Sequence, residues 1–159
     1  MKMLLLSLLL IGSMGCASTQ PEVVDSGPYS GEITANQLLN DYQVFNASYQ
    51  AYQPSAEDLA AIKLLQGKSI MVLFGTWCHD SDREVPKLLK LLDLSDVNLA
   101  KLSLHGVNYN KQEPTNLHKQ FDMLYTPTII LLDGKQELGR IVEKPQISLA
   151  ADLAAILAK

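Results

Sequence analysis

The run Ser69–Phe74 (SIMVLF) is apolar without alternation, the pattern of a strand buried on both faces, and it leads directly into Gly75-Thr76-Trp77-Cys78. A helix is expected from about Ser81 to Leu94, because Val85, Leu88, Leu89 and Leu92 recur there at helical spacing. A second strand is read at Leu99–His105, a polar loop at 106–113 and a short helix at Pro114–Phe121. Thr128–Leu132 reads as a third strand, and Asp133-Gly134 as the turn into a returning strand, Glu137–Val142. Ser148 is placed to cap a last helix running to Lys159, apolar at Leu149, Leu153, Ile156 and Leu157.

Upstream, Thr34 with Gln37 has the form of a capping box, and Leu38, Leu39, Tyr42, Phe45 and Tyr49 follow at helical spacing. One helix over about 35–51 is expected, ended near Pro54. Ser55 with Asp58 opens another, with Leu59, Ile62 and Leu65 on one face and Gly67 as its stop. The order α-α-β-α-β-α-β-β-α implies an α/β fold: a mixed central sheet of about four strands flanked by helices.

The first residues bear on location. Lys2 is followed by an apolar stretch at 4–11, then by Gly12-Ser13-Met14-Gly15-Cys16. A charged start, a short apolar core and a small-residue exit make a secretory signal. The stretch is too short to span a membrane, which takes about 20 apolar residues. Residues 17–31, broken by Pro21, Gly27 and Pro28, read as a flexible tether. The expected organisation is therefore a signal at 1–15, an N-terminus and tether at 16–31, and a single domain at 32–159. The 13 basic and 17 acidic residues give a formal charge of −4, with no basic stripe of the kind that binds nucleic acid. Two cysteines cannot build a disulfide framework.

The end of the leader resembles the lipobox of bacterial lipoproteins, with Gly15 before the cleavage point and Cys16 as the lipidated residue; Ser13 stands where leucine is usual. That resemblance implies an export route and a lipid anchor in the cell envelope. Ala17 after the cysteine favours the periplasmic side of the outer membrane by Gram-negative sorting rules.

From about residue 55 onward the chain resembles the thioredoxin superfamily. The buried strand runs into Trp77-Cys78-His79-Asp80-Ser81, similar to the Trp-Cys-x-x-Cys motif with serine in the last place, and Pro86 stands where that family kinks its active-site helix. Tyr125-Thr126-Pro127-Thr128 is similar to the family's cis-proline segment, and the Asp133-Gly134 turn and last helix complete the pattern. The segments Trp77–Pro86 and Gly139–Leu153 are also similar to uncharacterised bacterial thioredoxin-like proteins. The implied fold is thioredoxin-like, with the first helices as an N-terminal extension.

Cys78 at a helix start meets free backbone N–H groups and the positive end of the helix dipole, which favours the nucleophilic thiolate. His79 adds to this when protonated, and Asp80, Asp82 and Glu84 oppose it. Ser81 is expected to hydrogen-bond the sulfur, Trp77 to pack beside it, and a cis Pro127 to leave Thr126 with an exposed backbone edge for a substrate segment. Two departures matter: the family's resolving cysteine is Ser81, and its partly buried aspartate is Val72. A two-cysteine reductase is thereby disfavoured. Two readings remain open. One is a monothiol thiol–disulfide oxidoreductase or isomerase acting on envelope protein thiols, or with a small thiol, through a mixed disulfide at Cys78. The other is a non-enzymatic binding module using the cis-proline groove. No resident cofactor is implied. Cys78, His79, Asp80 and Asp82 lack a second soft ligand to close a metal site. His105 and His118 are expected to be structural or solvated, and Glu143 has no assigned role.

Overall fold

The computed structural model describes residues 28–159. The expected signal at 1–15, the lipidation residue Cys16 and the tether up to residue 27 lie outside the described residues. The elements are β1 (Gly31–Ile33), α1 (Ala35–Asp41), α2 (Gln43–Ala51), α3 (Ala56–Lys63), β2 (Ser69–Phe74), α4 (His79–Ser95), β3 (Lys101–Gly106), α5 (Leu117–Gln120), β4 (Thr128–Asp133), β5 (Gln136–Val142) and α6 (Leu149–Leu157).

The strands form one mixed sheet in the order β1-β3-β2-β4-β5. Strand β2 lies at its centre, parallel to β3 and antiparallel to β4. Strands β4 and β5 make the expected hairpin, with a register shift at Leu131/Leu132. The sheet has five strands rather than about four, because β1 adds to β3 antiparallel, with Gly31 opposite Gly106. This also shortens the tether expected over 16–31. The Tyr29 N–H donates to Thr76 Oγ1 at 3.1 Å and the Ser30 hydroxyl to the Gln112 carbonyl at 3.0 Å, so the chain is tied to the domain before β1 begins.

Side chains of the uninterrupted strand β2 separate by face. Ile70, Val72 and Phe74 join Leu104, Ile129, Leu131 and Ile141 in the main core, beneath residues of α1 to α4 and α6 such as Leu38, Phe45, Ile62, Leu88 and Leu153. Leu73 joins Val107, Met123, Ile130 and Leu132 in a smaller cluster on the other face, with Met71, Leu117 and Phe121 packed against it. Five helices thus cover one face, while the other is covered by α5 and the loops around it. Gly139 lets α6 close on β5, since a Cβ there would lie 2.8 Å from the Ile156 side chain.

The expected helix over 35–51 is broken into α1 and α2 at Tyr42, whose φ −120 and ψ 94 are extended. Both capping boxes form, Thr34 with Gln37 and Ser55 with Asp58. Helix α4 starts earlier than expected, at His79, and carries Pro86 inside it. Helix α5 is shorter than the Pro114–Phe121 expectation. Among the described residues no helix is long and apolar enough to cross a membrane.

Candidate functional site

Strand β2 ends at Phe74 in the middle of the sheet and hands the chain to α4 through Gly75–Cys78. Strand β4 begins at Thr128 opposite Leu73, so the segment before it lies beside the segment after β2. Register alone therefore brings Cys78 and Thr126-Pro127 together from 48 residues apart. Cys78 is the N-cap of α4, with φ −97 and ψ 125. Its N–H donates to the Gly75 carbonyl at 3.1 Å and its carbonyl accepts from Asp82 N–H at 3.0 Å. The thiol is unpaired and half-buried. It donates to the Thr126 carbonyl at 3.3 Å, and the Thr126–Pro127 peptide bond is cis.

Two expectations change here. Ser81 does not serve the sulfur. It is fully buried, and its hydroxyl accepts from Gly75 N–H at 3.2 Å. A buried backbone donor must find a partner, and the bend after β2 leaves Gly75 without one in a ladder. Nor is Thr126 an exposed backbone edge. It is 4% exposed, with its carbonyl facing the thiol, while Leu124 and Tyr125 before it are the exposed residues. The Pro127 carbonyl in turn accepts from Glu143 N–H at 2.8 Å, with Glu143 in the left-handed region at φ 61. Glu143 thus acts through its backbone, holding the proline segment to the end of β5.

Trp77 is fixed from several sides. Its indole Nε1–H donates to the Val107 carbonyl at 3.1 Å, and its ring lies 5.4 Å from that of Tyr109. Gly75 makes room for it, since a Cβ there would fall 2.7 Å from the indole. Tyr109 is itself largely exposed. Lys111 braces the far side, donating to the Leu124 carbonyl at 2.7 Å and standing 5.3 Å above the Tyr125 ring. The partly covered thiol therefore lies against the Thr126-Pro127 segment, with exposed side chains at Tyr109, Leu124 and Tyr125 on the flanking loops.

The charges at the start of α4 are largely answered locally. The His79 side chain is 86% exposed, with Nδ1 3.4 Å from Asp82 Oδ1. Arg83 binds Asp80 and Glu84, each at 2.6 Å, and these partners raise the pKa of its guanidinium further. Glu84 is buried; Lys87 approaches its Oε1 at 3.3 Å, and its Oε2 has no partner. The acidic residues expected to oppose a thiolate are thus partly neutralised by Arg83 and Lys87.

A second polar cluster lies in the loop before α5, where no sequence motif marked it. The Glu113 carboxylate is buried, and it accepts from the backbone and hydroxyl of Thr115 and lies 3.2 Å from His118 Nδ1. Burial pushes its pKa up, but the Thr115 and His118 hydrogen bonds outweigh it and hold it at about 2. His105 is buried on β3 with Nδ1 unpartnered, and burial lowers its pKa. The short spacing of Glu113 and Thr115 was the available local signal; the His118 contact depends on how the loop folds back. Among the described residues, no group of three or more His, Cys, Asp or Glu side chains is placed to hold a metal ion.

No protein-family model matches the sequence, and no curated protein matches it. Among solved structures the chain is similar to a Pseudomonas aeruginosa protein of unknown function, at 19% identity and TM-score 0.53, over 79% of this chain and 86% of that one. It is similar also to an HIV epitope-scaffold, at 20% identity and TM-score 0.53, over 79% of this chain and 87% of that one. At such identities the likeness is one of fold alone: a mixed five-stranded α/β sheet flanked by helices.

Proposed function

We propose that this chain is a thioredoxin-like, monothiol thiol–disulfide oxidoreductase of the cell envelope, exported by its leader and anchored by lipid at Cys16, with Cys78 as the nucleophile. The observation that carries the reading is the half-buried thiol of Cys78, at the start of α4, hydrogen-bonded at 3.3 Å to the carbonyl before cis Pro127. The thiol stands at the N-cap of α4, whose first N–H groups have no intrahelical partner.

In the proposed step the Cys78 thiol gives up its proton and its sulfur attacks one sulfur of a substrate disulfide. The substrate S–S bond breaks, a mixed disulfide forms on Cys78, and the departing thiolate takes a proton. Ser81 cannot resolve that bond, so a second thiol must attack it. Resolution by another thiol of the same substrate releases Cys78 with no net change of electrons, which is isomerisation. Resolution by a small thiol, with a second such thiol closing the product disulfide, passes two electrons to the substrate. The exposed Leu124 and Tyr125, just before the Thr126 carbonyl that the thiol meets, offer apolar surface for a substrate. His79, exposed beside Asp82 at the start of α4, adds positive charge near the thiol when it is protonated.

The reading is tested with a fluorescent peptide carrying a disulfide-linked quencher, a small thiol as second substrate, and the full chain with or without Cys78→Ser. Loss of catalysed exchange and of trapped mixed disulfides in the variant is expected; unchanged exchange would remove the proposal. A binding module is the second reading, favoured by Ser81, which stands in place of a second cysteine and is buried against Gly75 N–H. It predicts partner capture that survives Cys78→Ala and fails in Pro127→Ala.

A further inference from the structure

The sheet face opposite the five packed helices carries a half-open groove of about 340 Å³, at the end of the strands remote from Cys78. It exists because α5 has four residues, about 6 Å of helix, whereas five strands span about 20 Å. Met71, Leu117, Phe121 and Leu132 supply apolar walls, and Lys101 and Lys135 stand among the lining residues. No Asp or Glu lines it, in a chain whose formal charge is −4. Carboxylates near it in sequence are engaged elsewhere. Lys68 holds Asp133 at 2.7 Å, Arg140 holds Glu137 at 2.6 Å, and Asp122 acts electrostatically on Arg140. Neither Lys101 nor Lys135 makes an ion pair among the described residues.

We propose that this groove binds a small single-chain amphiphile with an anionic head, such as a medium-chain carboxylate, its chain on Met71, Leu117, Phe121 and Leu132 and its carboxylate between Lys101 and Lys135. The volume lies at the lower end of the range for small-ligand pockets, which suits one short acyl chain. An added peptide strand does not suit it. Strand β2 is paired on both sides, and the outer edge that β3 leaves open, at Lys101–Ser103, lies in the plane of the sheet, whereas the groove lies on its face. What remains for recognition is apolar contact plus two unneutralised ammonium groups, and an amphipathic anion satisfies both. The inference is independent of thiol chemistry at Cys78.

The test is a titration of the full chain with octanoate, followed by amide chemical shifts, with 1-octanol and acetate as controls for chain and charge. Saturable shifts at Ser103, Leu117 and Phe121 are expected with octanoate, and weaker binding of both controls. Lys101→Glu with Lys135→Glu should weaken octanoate by roughly three- to tenfold, since partly exposed ion pairs are individually modest, and leave octanol unchanged. Both substitutions lie at surface positions and leave the apolar walls intact. No shifts at the groove, equal binding of octanol and octanoate, or octanoate affinity unchanged in the double variant would each overturn the proposal.

Discussion

Cys78 and Ser81 show how much chemistry turns on which group a side chain meets. Spacing on a helix puts Ser81 one turn after Cys78, and from sequence the sulfur is the obvious partner. Gly75 N–H takes the hydroxyl instead, because a buried amide needs a partner, while the thiol finds the Thr126 carbonyl. Ser81→Ala should therefore destabilise the fold by about 1–3 kcal/mol, the usual cost of leaving a buried donor unsatisfied, as read by urea denaturation. A serine serving only the sulfur would leave the midpoint unchanged. Trp77 and Cys78 were legible in the sequence because a buried strand running into a helix start is a local pattern. Tyr109 and the Val107 carbonyl were not, since their approach to Trp77 depends on a loop that follows a distant strand.

Elements with strong local signals formed where they were expected: β2 from its unbroken apolar run, α3 and α6 from their serine caps, and the β4–β5 hairpin from Asp133-Gly134. Strand β1 escaped notice because its three residues are too short for alternation and its partner β3 lies some 70 residues away. The break at Tyr42 was hidden for another reason: Leu38, Phe45 and Tyr49 keep helical spacing across it. Packing of α6 on β5 gives a test at this scale. Gly139→Ala places a Cβ against the β-branched Ile156 and should cost about 1–3 kcal/mol through overpacking, seen as a lowered thermal midpoint. The loop before α5 gives another. Glu113 has a pKa depressed to about 2, so its contribution is fully present above its unfolded value of about 4.3 and is lost as pH falls from there toward 2. Glu113→Gln should flatten the fall in thermal stability between about pH 5 and pH 2 relative to the unaltered chain. An identical slope in both proteins would mean that the carboxylate does not carry that linkage.

Across the whole molecule the sheet divides the labour. One face holds the main core under five helices, which fixes the ends of β2 and β4 and so the meeting of Cys78 with Thr126-Pro127. The other face is thinly covered and leaves the lysine-bearing groove. The α/β character and the central strands were legible because burial on two faces is written in composition, while the number of strands and the openness of one face were not, since both depend on short segments. The central claim is that the fold holds Cys78 as a reactive, reachable nucleophile. Its most direct test is the rate of Cys78 alkylation by iodoacetamide at pH 6.5, resolved by peptide mass spectrometry, in the native chain and in the same chain unfolded in urea. The prediction is labelling of Cys78 in the native protein without unfolding, because the sulfur is half-exposed at the start of α4. Labelling that is absent until unfolding would contradict it and leave the binding module as the reading of the site.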